Sequence, residues 1–381
     1  MNERIYMDYA STTFLRDEVI DTMKPYLTEC FGNPSGIHEF SRVAKNAIEH
    51  SRENIARVLR CQRKEVFFTS GGTESNNWAI KGVAFANRKK GNHIITTKIE
   101  HHSVLYTCKY LEQNGFKVTY LDVDSDGIVN VNDINNAITD KTILVSIAFV
   151  NNEIGTIQDI EAISELCHNK NIIFHTDAIQ AIGKIDISLD KYEFVNLLSI
   201  SGHKIYGPKG IGILYIKDGT SIDNYIHGGS QEKGRRSGTE NVYGIVGLSK
   251  AIELVCEDID EENRKLKELR DYMIDRILKE IPNSRINGSL KYRTSNNINV
   301  CFEGIKDEGI LLALDLKGIC ASSGSSCNSG SVNSSHVLQA IGLSSLEAQG
   351  SVRFTLGKNS KKEDADYVIE ELKDIVKRYR G

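Results

Sequence analysis

The organisation of this chain follows from one strand-like run and the lysine that ends it, Val195-Asn196-Leu197-Leu198-Ser199-Ile200-Ser201-Gly202-His203-Lys204. An amine at the end of a buried strand lies partly out of water, and desolvation lowers its pKa toward the neutral, nucleophilic form. Such a lysine can form a Schiff base with a carbonyl group. The alternative is a lysine that leaves the strand for solvent, and this run alone does not decide between the two.

Strand-like and helix-like segments alternate around this run. The sequence predicts strands over 65–69, 93–97, 117–121, 142–150, 171–175, 195–200 and 212–216, with helices over 73–88, 102–113 and 159–168 among them. This alternation is typical of a mainly parallel sheet that is covered by helices on both faces. Ligands bind beyond the carboxyl ends of the strands in such sheets, so the functional residues are expected there.

A change in composition after Leu254 indicates a second, smaller domain. A charge-rich helix is predicted over 257–280, followed by strands at 297–302, 319–321 and 352–356, a helix at 307–316, and a last helix with a capping box of Ser360 and Glu363. We therefore predict a large α/β domain over residues 15–255 with a seven-stranded sheet. A small α+β domain is predicted over residues 1–14 and 256–381.

Length and charge exclude several classes of protein. The 381 residues, 40% of them hydrophobic, can bury a sizeable core, and no apolar run approaches the roughly 18 residues of a membrane span. The N-terminus has the features of neither a secretory signal nor a transit peptide, which predicts a cytoplasmic protein. A net charge of -4 provides no field that would attract nucleic acid or an anionic membrane.

The eight cysteines include no Cys-x-x-Cys pair, so they indicate neither a disulfide framework nor a zinc site. Most are expected to be buried as small apolar side chains. Cys327 differs because it lies in a run of small polar residues, 322–330, that cannot pack a core. The composition predicts an exposed cysteine on a mobile loop.

Polar residues follow several predicted strands. Gly71-Gly72-Thr73 would let a backbone and a helix N-terminus approach a phosphate group, although an ordinary glycine turn capped by Thr73 has the same sequence. Asp177 and Gln180 follow another strand. A buried aspartate needs a cationic partner, and a pyridinium nitrogen would serve. The alternative is an aspartate that caps a helix.

Two further strand ends carry candidate groups. His101 could stack on a flat cofactor and carry protons, or it could be a hydrogen-bonded structural histidine. Asn152 adds a side-chain amide at the same edge. No third ligand lies near the pair His101-His102 in the sequence, so no metal site is predicted.

Taken together, these motifs resemble the NifS/IscS-type cysteine desulfurases of the class V aminotransferase family. The resemblance spans nearly the whole chain and is carried by runs at 31–35, 69–77, 151–155, 175–180, 201–210, 227–229, 236–239, 322–327 and 352–354. It implies the fold of fold type I enzymes that depend on pyridoxal 5'-phosphate.

The resemblance also implies a role for each matching residue. Lys204 would bind pyridoxal phosphate as a Schiff base, Asp177 would face the ring nitrogen, and Gln180 the ring hydroxyl. His101 would stack on the ring and shuttle protons. The phosphate would be held by Gly72, Thr73, Ser201 and His203, and by Thr239 of a neighbouring subunit, which implies a homodimer with shared sites.

The substrate implied by the resemblance is L-cysteine. Asn152 and Arg353 would position it, with the guanidinium binding its carboxylate. Cys327 would attack the substrate sulfur to give alanine and a persulfide, and would pass the sulfur to an acceptor or iron-sulfur scaffold protein. Cys327 is also a possible transient ligand of a metal cluster.

Two other functions stay open on the sequence. A selenocysteine lyase or another class V enzyme would share the cofactor site without needing Cys327. A non-catalytic sulfur carrier would have a vestigial site, whereas Lys204, Asp177 and His101 are all present. The acceptor pathway, whether iron-sulfur assembly, nitrogenase assembly or tRNA thiolation, is not determined by the sequence.

Overall fold

The computed structural model describes residues 4–305, 309–323 and 334–380. Within these ranges no helix has the length and apolar character needed to cross a membrane. The strands, in chain order, are β1 (Ile5–Tyr6), β2 (Val66–Thr69), β3 (His93–Thr97), β4 (Lys117–Leu121), β5 (Thr142–Ser146), β6 (Ile173–Asp177), β7 (Leu197–Ser201), β8 (Gly212–Ile216), β9 (Ser284–Ile286), β10 (Asn297–Phe302), β11 (Ile319–Cys320) and β12 (Ser351–Thr355). The helices are α1 (Asp17–Thr28), α2 (Glu39–Leu59), α3 (Gly72–Ala86), α4 (His102–Gln113), α5 (Val131–Ala137), α6 (Ile160–Asn169), α7 (Val242–Glu257), α8 (Ile259–Glu280), α9 (Gly309–Leu316), α10 (His336–Ala340), α11 (Ser345–Gln349) and α12 (Lys362–Arg380).

The predicted seven-stranded, mainly parallel sheet is confirmed. Its strand order is β2-β8-β7-β6-β5-β3-β4, and β8 alone runs antiparallel to its two neighbours. The carboxyl ends of the remaining strands therefore meet at one edge. Lys204 follows β7 at this edge, and Asp177 ends β6 beside it.

Alternating apolar side chains explain why the sheet is buried on both faces. In β8, Ile213 and Tyr215 pack into one apolar core, whereas Leu214 and Ile216 pack into the core on the opposite face. Successive side chains of a strand point to opposite faces, so each strand contributes to both cores. Helix α3 covers the face that Leu214 belongs to, which places its N-terminus at the ligand-binding edge.

The C-terminal part of the chain has an apolar core of its own. The antiparallel sheet β12-β10-β9 packs with α8, α9 and α12 around this core, and β1 pairs with β11 beside them. Met7 belongs to the same core. The proposed division into residues 15–255 and residues 1–14 plus 256–381 is supported by these separate cores and stays a prediction.

Several element boundaries differ from the sequence prediction. β5 ends at Ser146 rather than at residue 150, and the predicted helix 257–280 is α8, which begins at Ile259 after α7 ends at Glu257. The capping box of Ser360 and Glu363 does not form, because helix α12 begins at Lys362. The Ser360 hydroxyl instead accepts the Gly357 N–H at 3.0 Å, and Asp364 accepts the Lys361 N–H at 3.2 Å.

Candidate active site

Most of the predicted site residues line one cleft of about 330 Å³ at the carboxyl edge of the sheet. They are Gly72, Thr73, His101, Asn152, Asp177, Gln180, Ser201, His203, Lys204 and Arg353. These residues come from separate strand ends and from β12 of the C-terminal part. The predicted convergence of strand-end residues is therefore observed.

Lys204 ends a tight turn of 3-10 helix, Gly202–Lys204, directly after β7. Gly202 fits here because a Cβ at this position would lie 2.8 Å from the Pro208 carbonyl oxygen. The Lys204 amine donates hydrogen bonds to the carbonyl oxygens of Ala10 at 2.7 Å and Ser11 at 2.6 Å. The lysine is therefore directed into the cleft, and the alternative of a lysine that leaves the strand for solvent is wrong.

The N-terminal segment 8–13 supplies cleft residues that the sequence interpretation missed. The Ala10 carbonyl accepts a hydrogen bond from Gln180 Nε2 at 2.9 Å as well as that from Lys204. His203 Nδ1 lies 3.2 Å from the Thr12 hydroxyl. No periodic pattern marks this segment, and its partners lie far along the chain, so no local signal could have revealed it.

Asp177 is fixed at the cleft by two donors. Its carboxylate accepts hydrogen bonds from Asn76 Nδ2 at 2.7 Å and from the Ile179 backbone N–H at 3.0 Å. Asn76 lies in the second turn of α3 and is fully buried. The sequence interpretation gave Asn76 no role. No local pattern in the sequence distinguishes Asn76 from its neighbours in the helix.

A chain of hydrogen bonds connects Asp177 to His101. The second N–H of Asn76 Nδ2 is donated to the Ser103 hydroxyl at 2.9 Å, and this hydroxyl lies 2.8 Å from His101 Nδ1. The Ser103 backbone N–H also donates to His101 Nδ1, at 3.1 Å. His101 Nδ1 is therefore an acceptor, which places the proton of the neutral ring on Nε2.

The charge state of His101 agrees with this tautomer. Burial lowers the pKa of the His101 imidazole, and the nearby Asp177 carboxylate opposes this effect only in part. The ring is therefore neutral near pH 7. A neutral imidazole in the cleft can take up a proton and return it, which is the requirement for a proton carrier.

The turn before α3 has the geometry of a phosphate seat. Gly71 has φ +148°, which favours glycine, and no side chain in the described part of the chain caps the first turn of α3. The first N–H groups of α3 and its dipole therefore face the cleft. The alternative of a turn capped by Thr73 is wrong, since Gly71 is the cap residue.

Two polar side chains stand beside this turn. Ser201 ends β7, and His203 lines the same cleft. Burial, followed by the charges of Lys204 and Lys209, lowers the pKa of His203 to about 4. His203 is therefore a neutral hydrogen-bonding group at neutral pH rather than a cation.

Arg353 reaches the cleft from β12 and is almost fully buried. Its guanidinium donates to the Asn152 carbonyl oxygen at 3.0 Å, to Asp8 at 2.8 Å and to the Ser11 hydroxyl at 2.8 Å. The sequence interpretation missed Asp8 as the ion-pair partner. These acceptors fix the plane of the guanidinium, and a fixed guanidinium binds a carboxylate in a defined orientation.

Two buried carboxylic acids lie behind the cleft wall. Burial raises the pKa of Glu100 to about 8 and that of Glu153 to about 7. Glu100 accepts hydrogen bonds from the Thr97 hydroxyl at 2.7 Å and from the Ala148 N–H at 3.0 Å. Glu153 accepts a hydrogen bond from the Ser335 hydroxyl. Neither residue was assigned a role from the sequence.

Two predicted site residues are not placed in this cleft. Thr239 is exposed and does not line it. Cys327 lies outside the described residues. Among the residues that are described, no group of three or more His, Cys, Asp or Glu side chains could hold a metal ion.

The fold and the cleft define the class of protein. A strand-end lysine, a carboxylate fixed by two donors and an uncapped helix N-terminus match the aldehyde, the ring nitrogen and the phosphate of pyridoxal 5'-phosphate. The donors and acceptors of the described cleft therefore fit this cofactor. The chain has the architecture of a fold type I enzyme that depends on pyridoxal phosphate.

Comparisons with known proteins agree. The profile of the aminotransferase class-V family matches residues 5–368. A cysteine desulfurase IscS of Clostridium botulinum (strain Hall) is 55% identical over 100% of this chain and 96% of its own length. A solved NifS-like protein has a TM-score of 0.93 and is 39% identical, covering 99% of this chain and 100% of its own. The solved structure of SspA in complex with cysteine has a TM-score of 0.83 and is 40% identical, covering 92% of this chain and 98% of its own.

The chain belongs to the class V aminotransferase family. The resemblance to NifS/IscS-type cysteine desulfurases is thereby confirmed. Pyridoxal phosphate is the cofactor of this family, and the cleft provides for it.

Proposed function

We propose that this chain is a cysteine desulfurase that uses pyridoxal phosphate to move the sulfur of L-cysteine onto Cys327. The observation that carries the proposal is the convergence of Lys204, Asp177 and His101 in one cleft with Arg353. Full-length relatives bearing the name cysteine desulfurase support the same activity. When bound, the cofactor supplies an electron-accepting ring for the α-carbon of an amino acid.

The residues of the cleft would hold the cofactor at four points. Lys204 would bind it covalently, Asp177 would keep the ring nitrogen protonated, and the N-terminus of α3 would bind the phosphate with Ser201 and His203. Gln180 would contact the ring hydroxyl. The support is that the Asp177 carboxylate is already oriented by Asn76 and that α3 begins without a capping side chain.

Two further residues would handle the substrate. Arg353 would bind the cysteine carboxylate beside Asn152, because its guanidinium is the cation that β12 brings into the cleft. His101, neutral with its proton on Nε2, would carry a proton during the reaction. A neutral ring can both accept and donate at neutral pH.

The sulfur transfer itself would use Cys327. Its thiolate attacks the sulfur of the bound cysteine, so a sulfur–sulfur bond forms while the carbon–sulfur bond breaks. The carbon keeps the electron pair and takes a proton, which gives alanine and a Cys327 persulfide. The sulfur would then pass to an acceptor protein, of which an iron-sulfur scaffold is one candidate.

We also infer a homodimer in which Thr239 of one protomer completes the phosphate site of the other. Its support is that Thr239 is exposed and outside the cleft of its own chain. Large apolar side chains are also exposed near the start of α2, with Phe31 68% and Ile37 91% exposed. Apolar surface of this kind marks a protein interface.

The test is sulfide release from L-cysteine with a reductant present, in the wild type and in Cys327→Ser. We expect the variant to keep its cofactor absorption but to lose most of its sulfide and alanine production. Full turnover by Cys327→Ser would refute the assignment of the nucleophile. A purified wild-type protein without bound cofactor would refute the activity itself.

A further inference from the structure

Two side chains attach the start of α10 to the wall of the cleft. The Ser335 hydroxyl donates a hydrogen bond to the Glu153 carboxylate and accepts the Leu338 N–H at 3.1 Å as the helix cap. His336 Nε2 donates to the Glu100 carbonyl oxygen at 3.0 Å. Since a carbonyl oxygen only accepts, the His336 ring carries its proton on Nε2.

Further contacts surround Glu153 and His336. Glu153 is buried in the turn that follows β5, and its backbone carbonyl accepts the side-chain amides of Asn297 at 3.1 Å and Asn299 at 3.0 Å. The His336 ring lies 4.9 Å from that of His102, centroid to centroid. The turn of Glu153 is therefore bonded to β10, and the His336 ring packs against His102.

The two attachment points adjoin residues of the cleft. Glu153 follows Asn152 directly, and Glu100 precedes His101. The start of α10 is thus bonded to the turn that carries the substrate-positioning amide and to the one that carries the proton carrier.

The sequence places Cys327 between this attachment and a second one. Upstream, Ser322 and Arg353 exchange backbone hydrogen bonds of 3.1 and 2.7 Å. Downstream, Ser335 stands eight positions after Cys327. The described residues on both sides of Cys327 are therefore attached beside the cleft. Ser322 is bonded to Arg353 on the upstream side. Ser335 and His336 are bonded to Glu153 and Glu100 on the downstream side.

We propose that Glu153 and His336 are positioning residues for sulfur transfer, which fix the downstream attachment of the Cys327 stretch to the turns of Asn152 and His101. This inference rests on the proposed function. An intramolecular attack is fast only when the chain holds the reacting groups at high effective concentration. Loss of an attachment therefore slows the attack by Cys327 while the binding of cysteine in the cleft is unchanged.

The experiment compares matched variants of the holoenzyme in a single turnover. Glu153→Ala and His336→Phe remove the acceptor and the donor, and the phenyl ring keeps the ring packing against His102. Glu153→Gln and His336→Gln keep an acceptor and a donor. His168→Phe is the control, because His168 is exposed and stacks only on Phe194 among the ring contacts of the described residues. Persulfide on Cys327, the cysteine-induced change in cofactor absorption and the denaturation midpoint are measured for each.

We expect Glu153→Ala and His336→Phe to slow persulfide formation about tenfold, the effect of about 1.4 kcal/mol on a rate. The two glutamine variants and His168→Phe should stay within about twofold of the wild type. The cysteine-induced absorption change should keep its wild-type rate throughout. Wild-type persulfide rates in Glu153→Ala and His336→Phe would overturn the inference, and so would a parallel loss of the absorption change. An unmutated enzyme that forms no persulfide would refute the proposed function, and the inference with it.

Discussion

Removal of the Ser103 hydroxyl tests the hydrogen-bond chain that orients His101. In Ser103→Ala, Asn76 Nδ2 loses the acceptor at 2.9 Å, and His101 Nδ1 loses the hydroxyl at 2.8 Å but keeps the Ser103 backbone N–H. Asn76 is fully buried, so one of its N–H groups is left unpaired away from water. A buried unpaired donor costs about 1–3 kcal/mol, and we expect the free energy of unfolding to fall by that amount.

The catalytic effect should be separate and smaller. The His101 ring then has one hydrogen-bond donor at Nδ1 instead of two, and the lost hydrogen bond contributed about 0.5–1.5 kcal/mol to holding the ring in place. If the activation free energy rises by this amount, kcat for alanine formation decreases by up to about tenfold. The lost hydroxyl also favoured the unprotonated Nδ1, so the pKa of His101 should rise. The acidic limb of the pH profile of kcat should therefore move to higher pH.

The assays are guanidinium denaturation and alanine production between pH 5 and 9. Ser164→Ala is the control. Ser164 is also buried, and its hydroxyl donates a hydrogen bond of 3.0 Å to the Glu161 backbone carbonyl within α6. Neither residue lines the cleft. It should lose stability without any change in kcat or in the pH profile. The reasoning would be refuted if Ser103→Ala kept the wild-type pH profile and kcat, since the hydroxyl would then be a structural group only.

Three further predictions concern the cleft. Lys204→Ala should abolish the visible absorption of the bound cofactor in the purified protein, and an unchanged spectrum would contradict the covalent role of Lys204. Arg353→Lys should raise KM for cysteine about tenfold or more in steady-state assays, because a compact ammonium cannot reproduce the bidentate geometry; an unchanged KM would exclude a carboxylate contact. The pKa of Glu100 is raised to about 8 in the folded chain, so the folded state holds this proton more tightly and stability falls as pH rises from about 4.5 through 8. Between pH 6 and 8.5 the wild type should lose about 2–3 kcal/mol more unfolding free energy than Glu100→Gln, and equal losses would show that the carboxyl titrates normally.

The sheet and its ligand-binding edge could be predicted because both have local signals. A continuous run of apolar residues marks β8, as expected for a strand buried on both faces, and the polar residues that follow the buried strands are readily located once the strands are predicted. Lys204, Asp177 and His101 were found in this way, because the carboxyl ends of parallel strands lie at the same edge of the sheet. The prediction of a capping box at Ser360 was wrong because several polar side chains lie near this helix start. The helix boundary depends on which of them accepts hydrogen bonds from the free N–H groups, and the sequence does not determine this.

The supporting residues of the cleft could not be predicted from local patterns. Asp8 meets Arg353 across 345 positions, and Asn76 meets Asp177 across 101. Neither contact leaves a periodicity or a motif in the neighbouring sequence, because each is created by the tertiary packing of separate elements. Short polar residues such as Ser103 have the same sequence signature whether they cap a helix or orient a base.

Ser11 contacts the two cationic side chains of the cleft, Lys204 and Arg353. Its backbone carbonyl accepts the Lys204 amine at 2.6 Å, and its hydroxyl accepts the Arg353 guanidinium at 2.8 Å. Under the proposed function, a substrate amino acid would place its amino group at the cofactor carbonyl that Lys204 would otherwise hold, and its carboxylate toward Arg353. Ser11 therefore contacts both cations and links the residues that follow β7 to β12. Under the proposed function, substrate orientation would depend on a segment of the chain whose own sequence carries no sign of catalysis.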